Sequence, residues 1–189
     1  SVTRKINLEN TMSSMGTMDN NDKKMKMNHS EKHKKGMKMK DMSHSNVKPT
    51  WVIHHPVNKT LYIAGNGSDE IIEIDAENWR ISKRLKVQKG PYNVEVTPNG
   101  RYLIATLKSV GSTAIWDLEN NYNLTILKNT TTVSHGIAIS SDSKYAFVSL
   151  EGIGGDPGIV DVISLEDSKI ISSVEVGKQA GGIAFWKAE

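Results

Sequence analysis

The residues whose side chains are best suited to a chemical role are methionines and histidines near the start of the sequence. All eight methionines lie between Met12 and Met42, and three of the six histidines fall in or beside that stretch. Thioether sulfur is a soft, neutral ligand that needs no deprotonation, and together with imidazole it suits Cu(I). The spacing includes Met25-x-Met27, Met37-x-Met39 and Met42-x-His44, which predicts a soft-metal site. The candidate ligands are Met25, Met27, His29, His33, Met37, Met39, Met42 and His44.

The same stretch has a second interpretation, as a basic tether that binds no metal. Eight lysines lie between Lys23 and Lys40, which disfavours a cation, and apolar residues other than methionine are nearly absent. Such a composition cannot bury enough apolar surface to fold, so we expect no fixed structure there unless a metal orders it. Zinc fits less well than copper or silver, because zinc prefers imidazole, thiolate and carboxylate ligands. Both interpretations stay open on the sequence alone.

Charge and composition limit the classes of protein to which the chain can belong. The formal charge of +3 is uneven, because residues 19–48 hold nine lysines against four acidic residues and the remainder is slightly acidic. Basic character therefore belongs to one segment, and no nucleic-acid partner is expected. The sequence contains no cysteine, which excludes a disulfide framework and a thiolate metal site. No run approaches the roughly 20 apolar residues of a membrane helix, so no membrane span is expected.

An internal repeat of about 40 residues identifies the elements that must hold these residues. Three copies run over 49–87, 91–129 and 134–176, and a fourth begins at GGIAFW. Each copy has four short strands, separated by turns rich in Pro, Asn, Gly and Asp. Four antiparallel strands in each repeat are typical of one blade of a β-propeller. The sequence therefore predicts an all-β fold with three complete four-stranded blades and partial strands at both ends.

The repeats resemble a known family. The stretches PNGRYLIAT and SDSKYAFVS, then EIIEIDAEN or GIVDVISLED, then KIISSVEVG, resemble the YVTN-type β-propeller repeats over residues 49–189. This resemblance implies that the chain is the C-terminal part of a seven-bladed ring, with a periplasmic, secreted or cell-surface location. The family includes scaffold, surface and binding proteins and relatives of a haem-binding propeller, so the resemblance does not choose a function. The Met/His-rich segment resembles, in composition and spacing, those of periplasmic copper-handling proteins.

The repeat boundaries divide the chain into three parts. Residues 1–8 resemble the fourth strands RISKRLKV and KIISSVEV, and we interpret them as the last strand of a preceding blade. Residues 9–47 form an insertion between that strand and the next blade, and residues 48–189 form the blades. Three blades alone leave open blade faces, so we expect a partner protein, self-association or further blades to cover them.

The propeller geometry predicts where the remaining histidines lie. Connections between blades share one face of the disc with the loops between second and third strands, so the insertion should project from that face. His135 begins the third copy on the same face and is the ligand-face candidate, against the alternative of a hydrogen-bonded structural histidine. His54 and His55 end the first strand of the first copy and should lie at the opposite face. Neighbouring strand residues point to opposite sides, so one of these two rings should pack inward.

These features together predict a non-catalytic, extracytoplasmic binding or scaffold module whose insertion captures a soft metal such as Cu(I). Haem is not expected to bind to this part of a propeller alone. The alternatives are the propeller part of a copper- or haem-dependent oxidoreductase, and a cell-surface module that binds proteins or glycans. No catalytic residue is assigned, because the adjacent Ser134 and His135 do not suit triad geometry and the GIGGDPG loop joins two strands rather than opening a helix.

Overall fold

The computed structural model describes residues 3–9 and 46–187. Over these residues the chain is all-β, with twelve strands and no helix. None of the described segments is a helix long and apolar enough to cross a bilayer. The strands, in chain order, are β1 (Pro49–His54), β2 (Thr60–Gly65), β3 (Glu70–Asp75), β4 (Arg80–Lys86), β5 (Pro91–Val96), β6 (Tyr102–Leu107), β7 (Ser112–Asp117), β8 (Asn123–Lys128), β9 (Ser134–Ile139), β10 (Tyr145–Leu150), β11 (Gly158–Ser164) and β12 (Lys169–Val176).

The strands form three antiparallel sheets of four, each built from one copy of the repeat. Strand order within each sheet follows chain order, from β1 to β4, from β5 to β8 and from β9 to β12. The first strands β1, β5 and β9 lie side by side, so they form the inner edge shared by the three blades. The prediction of an all-β fold with three complete four-stranded blades is confirmed.

Turn chemistry explains why each repeat folds into hairpins. In the turn between β5 and β6, Gly100 has a φ of 79° and its N–H donates to the Thr97 carbonyl at 2.7 Å. The Thr97 hydroxyl accepts from the Tyr102 N–H at 2.9 Å, which closes the hairpin. At the end of β3, hydrogen bonds from Asn78 lower the pKa of Asp75 to about 2. These local bonds fix the register of each blade.

Apolar clusters join neighbouring blades. Between the first and second blades, Tyr62 and Ile71 pack with residues of the second blade that include Trp116. Between the second and third blades, Ile104 and Ile163 belong to one continuous cluster. Each such side chain contributes about 1.5–3 kcal/mol when it is fully buried. The blade faces, more than the hairpins alone, therefore stabilise the arrangement.

A buried polar network also joins the second and third blades. Asp161 on β11 is fully buried and accepts hydrogen bonds from Asn129 Nδ2 at 3.1 Å and from the Thr130 N–H at 3.0 Å. Its other oxygen accepts from the Ser173 hydroxyl at 2.7 Å. Asn129 and Thr130 lie in the connection between β8 and β9, so the carboxylate fastens that connection to the third blade. A buried charge is tolerated when its lone pairs are satisfied in this way.

A second polar contact joins the first and second blades. Glu73 on β3 accepts hydrogen bonds from the Ser82 hydroxyl at 2.6 Å and from the Tyr122 hydroxyl at 2.5 Å. Burial, together with the hydrogen bond to Glu73, raises the pKa of Tyr122 to about 12. Lys83 Nζ lies 3.4 Å from the centroid of the Tyr122 ring. Tyr122 therefore carries both an ion–aromatic contact and a hydrogen bond across the blade boundary.

The described residues before the first blade pack against it without forming a strand. Ile6 and Leu8 contact the apolar cluster that includes Ile72 and Ile74 on β3. This packing covers part of the outward face of the first blade. The interpretation of residues 1–8 as the last strand of a preceding blade stays a prediction.

Candidate functional site

The site lies on one face of the blades, which we call the upper face. It carries the loops after β2, β6 and β10 and the connections that lead into β5 and β9. Three side-chain hydroxyls make links at this level, each by donating to a backbone carbonyl. Two of these carbonyls lie at the start of the next inner strand, and the third lies in the segment after β12. Thr50 donates to Tyr92 at 2.7 Å, and Thr106 donates to His135 at 2.9 Å. Ser149 donates to the Gly181 carbonyl at 2.9 Å.

His135 is held at this level by contacts to both ring nitrogens. Nδ1 lies 2.9 Å from the Gly181 carbonyl, and because a carbonyl only accepts, Nδ1 donates. Nε2 lies 3.2 Å from Glu151 Oε1. The ring also packs against Tyr92, with centroids 4.6 Å apart and an interplanar angle of 51°. These contacts fix the orientation of the imidazole.

Lys108 completes a half-buried cluster around His135. Its Nζ lies 3.7 Å from Glu151 Oε1 and 4.6 Å from the centroid of the Tyr92 ring. We call Tyr92, Lys108, His135 and Glu151 the upper-face cluster. It offers one carboxylate, one ammonium, one imidazole and one aromatic face, a set that suits hydrogen bonding and charge pairing with a polar ligand. Within the described residues, no three His, Asp or Glu side chains come together as a metal site.

The residues on either side of the insertion meet at the same face. The Val47 N–H donates to Glu9 Oε1 at 3.3 Å, and the Val47 carbonyl accepts from the Gly67 N–H at 2.8 Å. The chain therefore leaves the first blade at Glu9 and returns to it at Val47, beside the loop after β2. We call this pair of residues the stem.

A cluster of charged side chains on β3 and β4 lies next to the stem. The side chain of Glu70 is buried and pairs with Arg84 at 2.6 Å and with Lys86 at 2.9 Å. Burial opposes ionisation of Glu70, but hydrogen bonds from Lys86 and Ser68 and the charge of Arg84 outweigh it and lower the pKa of this carboxyl. Arg84 also donates to the carbonyl of Leu8. Arg84 thus joins the residue before the stem to β4 and, through Glu70, to β3.

The structure describes only some of the candidate residues that the sequence predicted. The eight proposed metal ligands between Met25 and His44 lie outside the described residues, so their role stays a prediction. His135 lies at the upper face, and its role as a ligand also stays a prediction.

His54 and His55 lie at the opposite end of β1. His55 is buried, donates from Nε2 to the Gly100 carbonyl at 3.0 Å, and accepts at Nδ1 from the Val57 and Asn58 N–H groups. This ring therefore links the turn after β1 to the corresponding turn of the second blade. The contacts account for His55 as a structural histidine.

Sequence reasoning did not identify the partners of His135. Lys108 and Glu151 each follow the last residue of a second strand, so they occupy equivalent positions in successive repeats. Their opposite charges at equivalent positions of successive repeats were the feature of the sequence that could have indicated this contact. The contact forms because the loop after β6 and the loop after β10 both lie beside the start of β9.

Comparisons with known proteins agree on architecture. No family model and no curated protein matches the sequence. Among solved structures, the chain is similar to U3-55K, with 13% identity and a TM-score of 0.67 over 77% of this chain and 45% of that one. It is equally similar to the RRP9 WD40 repeats, with 13% identity and a TM-score of 0.67 over 77% and 44%. The chain spans less than half the length of either match.

The fold is a β-propeller. At this level of identity the similarity shows the fold alone, and the YVTN-type resemblance stays a prediction. The match to WD40 repeats fits the shared architecture of four-stranded blades around an inner ring of first strands. In this fold the loops between strands lie on the two faces of the disc.

Proposed function

We propose that the chain is a non-catalytic, extracytoplasmic propeller module that binds a partner protein or further copies of itself, and that its Met/His-rich insertion captures Cu(I). The blades act as a rigid support, and the insertion collects the ion through thioether and imidazole ligands. His135 at the upper face is a further ligand, and the bound ion passes to the partner.

The scaffold part of the proposal is supported by the way the blades are joined. Neighbouring blades share apolar clusters, and hydroxyl-to-carbonyl bonds repeat at each boundary. Such a frame is already ordered before binding, so docking of a partner on the blades costs little backbone entropy. Exposed apolar residues on the outermost blades supply surface for a partner.

The metal part is supported by the composition of the insertion and by the position of its stem. Eight thioethers within 31 residues, and none in the rest of the chain, concentrate soft ligands in one place. Thioether ligands also resist the oxidation that removes thiols, which suits an extracytoplasmic compartment. The stem lies on the same face as His135. Ligation of an ion by His135 would replace one of the two contacts that its ring nitrogens make, to Gly181 and to Glu151.

Anaerobic Cu(I) titration of the full chain, in competition with a chromophoric Cu(I) chelator, tests this proposal. We expect the variant in which all eight methionines are replaced by leucine to bind Cu(I) at least about tenfold more weakly than the unmodified chain. Leucine preserves size and apolar character, so the comparison isolates the sulfur. Zn(II) affinity should change much less, because zinc does not prefer thioether.

Two further variants locate the other ligands. Replacing His29, His33 and His44 by glutamine should weaken Cu(I) binding, and His135→Gln should weaken it by a smaller factor. Equal Cu(I) affinity of the unmodified chain and the methionine-free variant would leave the insertion as a solvated tether and end the copper proposal. That result would not affect the scaffold part, which depends on the blades.

A further inference from the structure

The boundary between the first and second blades contains an aromatic side chain at the face opposite the upper face. We call this opposite face the lower face, and it carries the turns after β1, β3, β5, β7, β9 and β11. The side chain is that of Tyr122, whose hydroxyl donates to Glu73 Oε2 at 2.5 Å. Lys83 Nζ lies 3.4 Å from the centroid of the Tyr122 ring. A phenol, a carboxylate and an ammonium therefore meet at this boundary.

The pairing register identifies the residues that hold the same positions at the next boundary, between the second and third blades. Ile115 takes the position of Glu73, since each is the fourth residue of a third strand. Thr125 pairs with Ile115, as Lys83 pairs with the residue equivalent to Ile115, so Thr125 takes the position of Lys83. The two charged side chains are therefore replaced by an apolar group and a hydroxyl.

The turn that meets this second boundary also ends in a smaller residue. Ser168 is the last residue of the turn after β11, as Tyr122 is the last residue of the turn after β7. Both have a left-handed backbone, with φ values of 49° and 57°. Because a serine side chain is much shorter than a phenol, the second boundary lacks the aromatic group that occupies the first.

The space at the second boundary is a pocket of about 180 Å³, which we call the lower-face pocket. Its lining comes from the start of β6, from β7 and β8, and from the turns beside them in the second and third blades. Ile115 gives the pocket one apolar side, and most of the other lining side chains are polar.

One ion pair in the pocket is already satisfied within the protein. Arg101 Nη2 donates to Asp117 Oδ2 at 3.0 Å, and the guanidinium carbon lies 4.8 Å from the centroid of the Tyr102 ring. Asp117 Oδ1 also accepts from the N–H groups of Glu119 and Asn120. The hydrogen bond from Arg101 lowers the pKa of Asp117, so this pair stays ionised at neutral pH.

Four other polar side chains of the lining are open to a ligand. Asn123, Thr125, Glu166 and Ser168 supply a carboxamide, a carboxylate and two hydroxyls. Among the described residues, no group donates to or accepts from these four side chains. The pocket therefore offers donors and acceptors together, with two carboxylates against one guanidinium.

This combination selects for a small neutral ligand with several hydroxyls. Each sugar hydroxyl both donates and accepts, which matches a mixed set of partners. The excess of carboxylates disfavours an anion, and the described residues contain no group of three His, Asp or Glu side chains for a metal ion. The volume of about 180 Å³ lies below the roughly 300–1,000 Å³ of drug-sized sites, which limits the ligand to one ring.

We propose that the lower-face pocket binds one neutral pyranose ring, free or at the end of a glycan. The ring packs one C–H face on Ile115, and its hydroxyls bond to Glu166, Asn123 and the two hydroxyl side chains. The ring takes the place that the Tyr122 phenol has at the boundary before it. This site goes beyond the proposed function, since it lies on the other face of the disc from His135 and needs no metal.

Nuclear magnetic resonance titration of the full, ¹⁵N-labelled chain tests the proposal. The sugars are D-glucose, D-galactose, D-mannose and N-acetyl-D-glucosamine, and the signals are the Asn123 side-chain amide and the Arg101 Nε–H. We expect at least one sugar to shift both signals in a saturable way. Sorbitol, an acyclic polyol, should not do so. The methyl glycoside of that sugar distinguishes the two sources, because a ring at the end of a glycan binds with its anomeric oxygen substituted.

Three variants locate the binding. Ser168→Tyr restores a phenol to the end of the turn and should weaken sugar binding at least about tenfold. Trp79→Tyr is the matched control, because Trp79 ends the equivalent turn of the first blade with a φ of 53° and does not line the pocket. It should bind like the unmodified chain. Thr125→Val keeps the shape of the side chain and should weaken binding by about two- to tenfold, the size of one hydrogen bond.

The absence of a saturable shift with all four sugars would overturn the proposal. Equal sugar affinity of Ser168→Tyr and Trp79→Tyr would place the binding elsewhere and would overturn it as well. Shifts produced by calcium chloride but by none of the sugars would assign the pocket to a cation instead. Cu(I) titration of Ser168→Tyr should match that of the unmodified chain, so the sugar and copper proposals fail separately.

Discussion

Replacement of Asp161 by alanine should lower the free energy of unfolding by about 3–5 kcal/mol. The backbone N–H of Thr130 donates to this carboxylate and loses its acceptor in the variant, at a cost of about 1–3 kcal/mol for a stranded buried donor. Asn129 and Ser173 lose a charged acceptor but keep bonds to Thr113 and to the Thr130 hydroxyl, so each loses about 1 kcal/mol. The sum gives the expected range.

Urea unfolding followed by tryptophan fluorescence measures this change, since Trp116 is buried in the boundary between the first and second blades. The free energy in water follows from linear extrapolation. Asp161→Asn preserves volume and one acceptor oxygen, so we expect a smaller loss. Asp156→Ala, at an exposed aspartate in the loop before β11, is the matched control and should change stability by no more than about 0.5 kcal/mol.

The reasoning fails if Asp161→Ala loses less than about 1 kcal/mol, which is the size of a single ordinary hydrogen bond. It also fails if Asp156→Ala is as destabilising as Asp161→Ala. Either result would mean that the connection between β8 and β9 is held by the apolar cluster and not by the buried carboxylate.

Three further changes test other contacts. Hydrogen bonds from Asn78 lower the pKa of Asp75 to about 2. The contribution of this carboxylate to stability is therefore present above about pH 4 and is lost as the pH falls towards 2. Asp75→Asn should make the urea midpoint less dependent on pH in that range. Gly136→Ala would place a Cβ 2.8 Å from the Gly181 carbonyl, so amide hydrogen exchange in residues 181–187 should accelerate. Burial raises the pKa of Tyr122 to about 12, so its contribution is lost as pH rises from 10 through 12, and Tyr122→Phe should reduce that alkaline loss.

Each of these results has a clear contrary outcome. An unchanged acid dependence in Asp75→Asn would mean that the turn after β3 does not depend on the ionised carboxylate. Unchanged exchange in Gly136→Ala would mean that residues 181–187 are not held at the start of β9. An undiminished alkaline loss in Tyr122→Phe would assign that loss to other groups.

The sequence predicted the blades because the information for them is local. In the turn Thr97-Pro98-Asn99-Gly100, one hydroxyl, one amide and one glycine specify a hairpin within a few residues of each other. The alternation of apolar residues in the flanking strands then determines which face is buried. This local pattern occurs three times at a period of about 40 residues, so the four-stranded unit could be predicted from the sequence alone.

The contacts around His135 were not recoverable in the same way. Lys108 and Glu151 are 43 residues apart and come together only because two loops of different blades converge at the start of β9. The buried role of Asp161 is similarly hidden, since its donors come from another blade's connection and from β12. Such contacts between residues of different blades depend on how the blades are arranged around the propeller axis. The sequence pattern of a single blade does not specify that arrangement.

The stem has a consequence for protein engineering. Because the Val47 N–H meets Glu9 and the Val47 carbonyl meets Gly67, the chain on both sides of the insertion is bound to the first blade. Loop closure of flexible chain costs only about 0.6 kcal/mol for each doubling of its length. Residues 10–46 therefore mark a graft site, at which a foreign peptide, a fluorescent reporter or a whole small domain can be spliced in while the β-sheets remain unaltered.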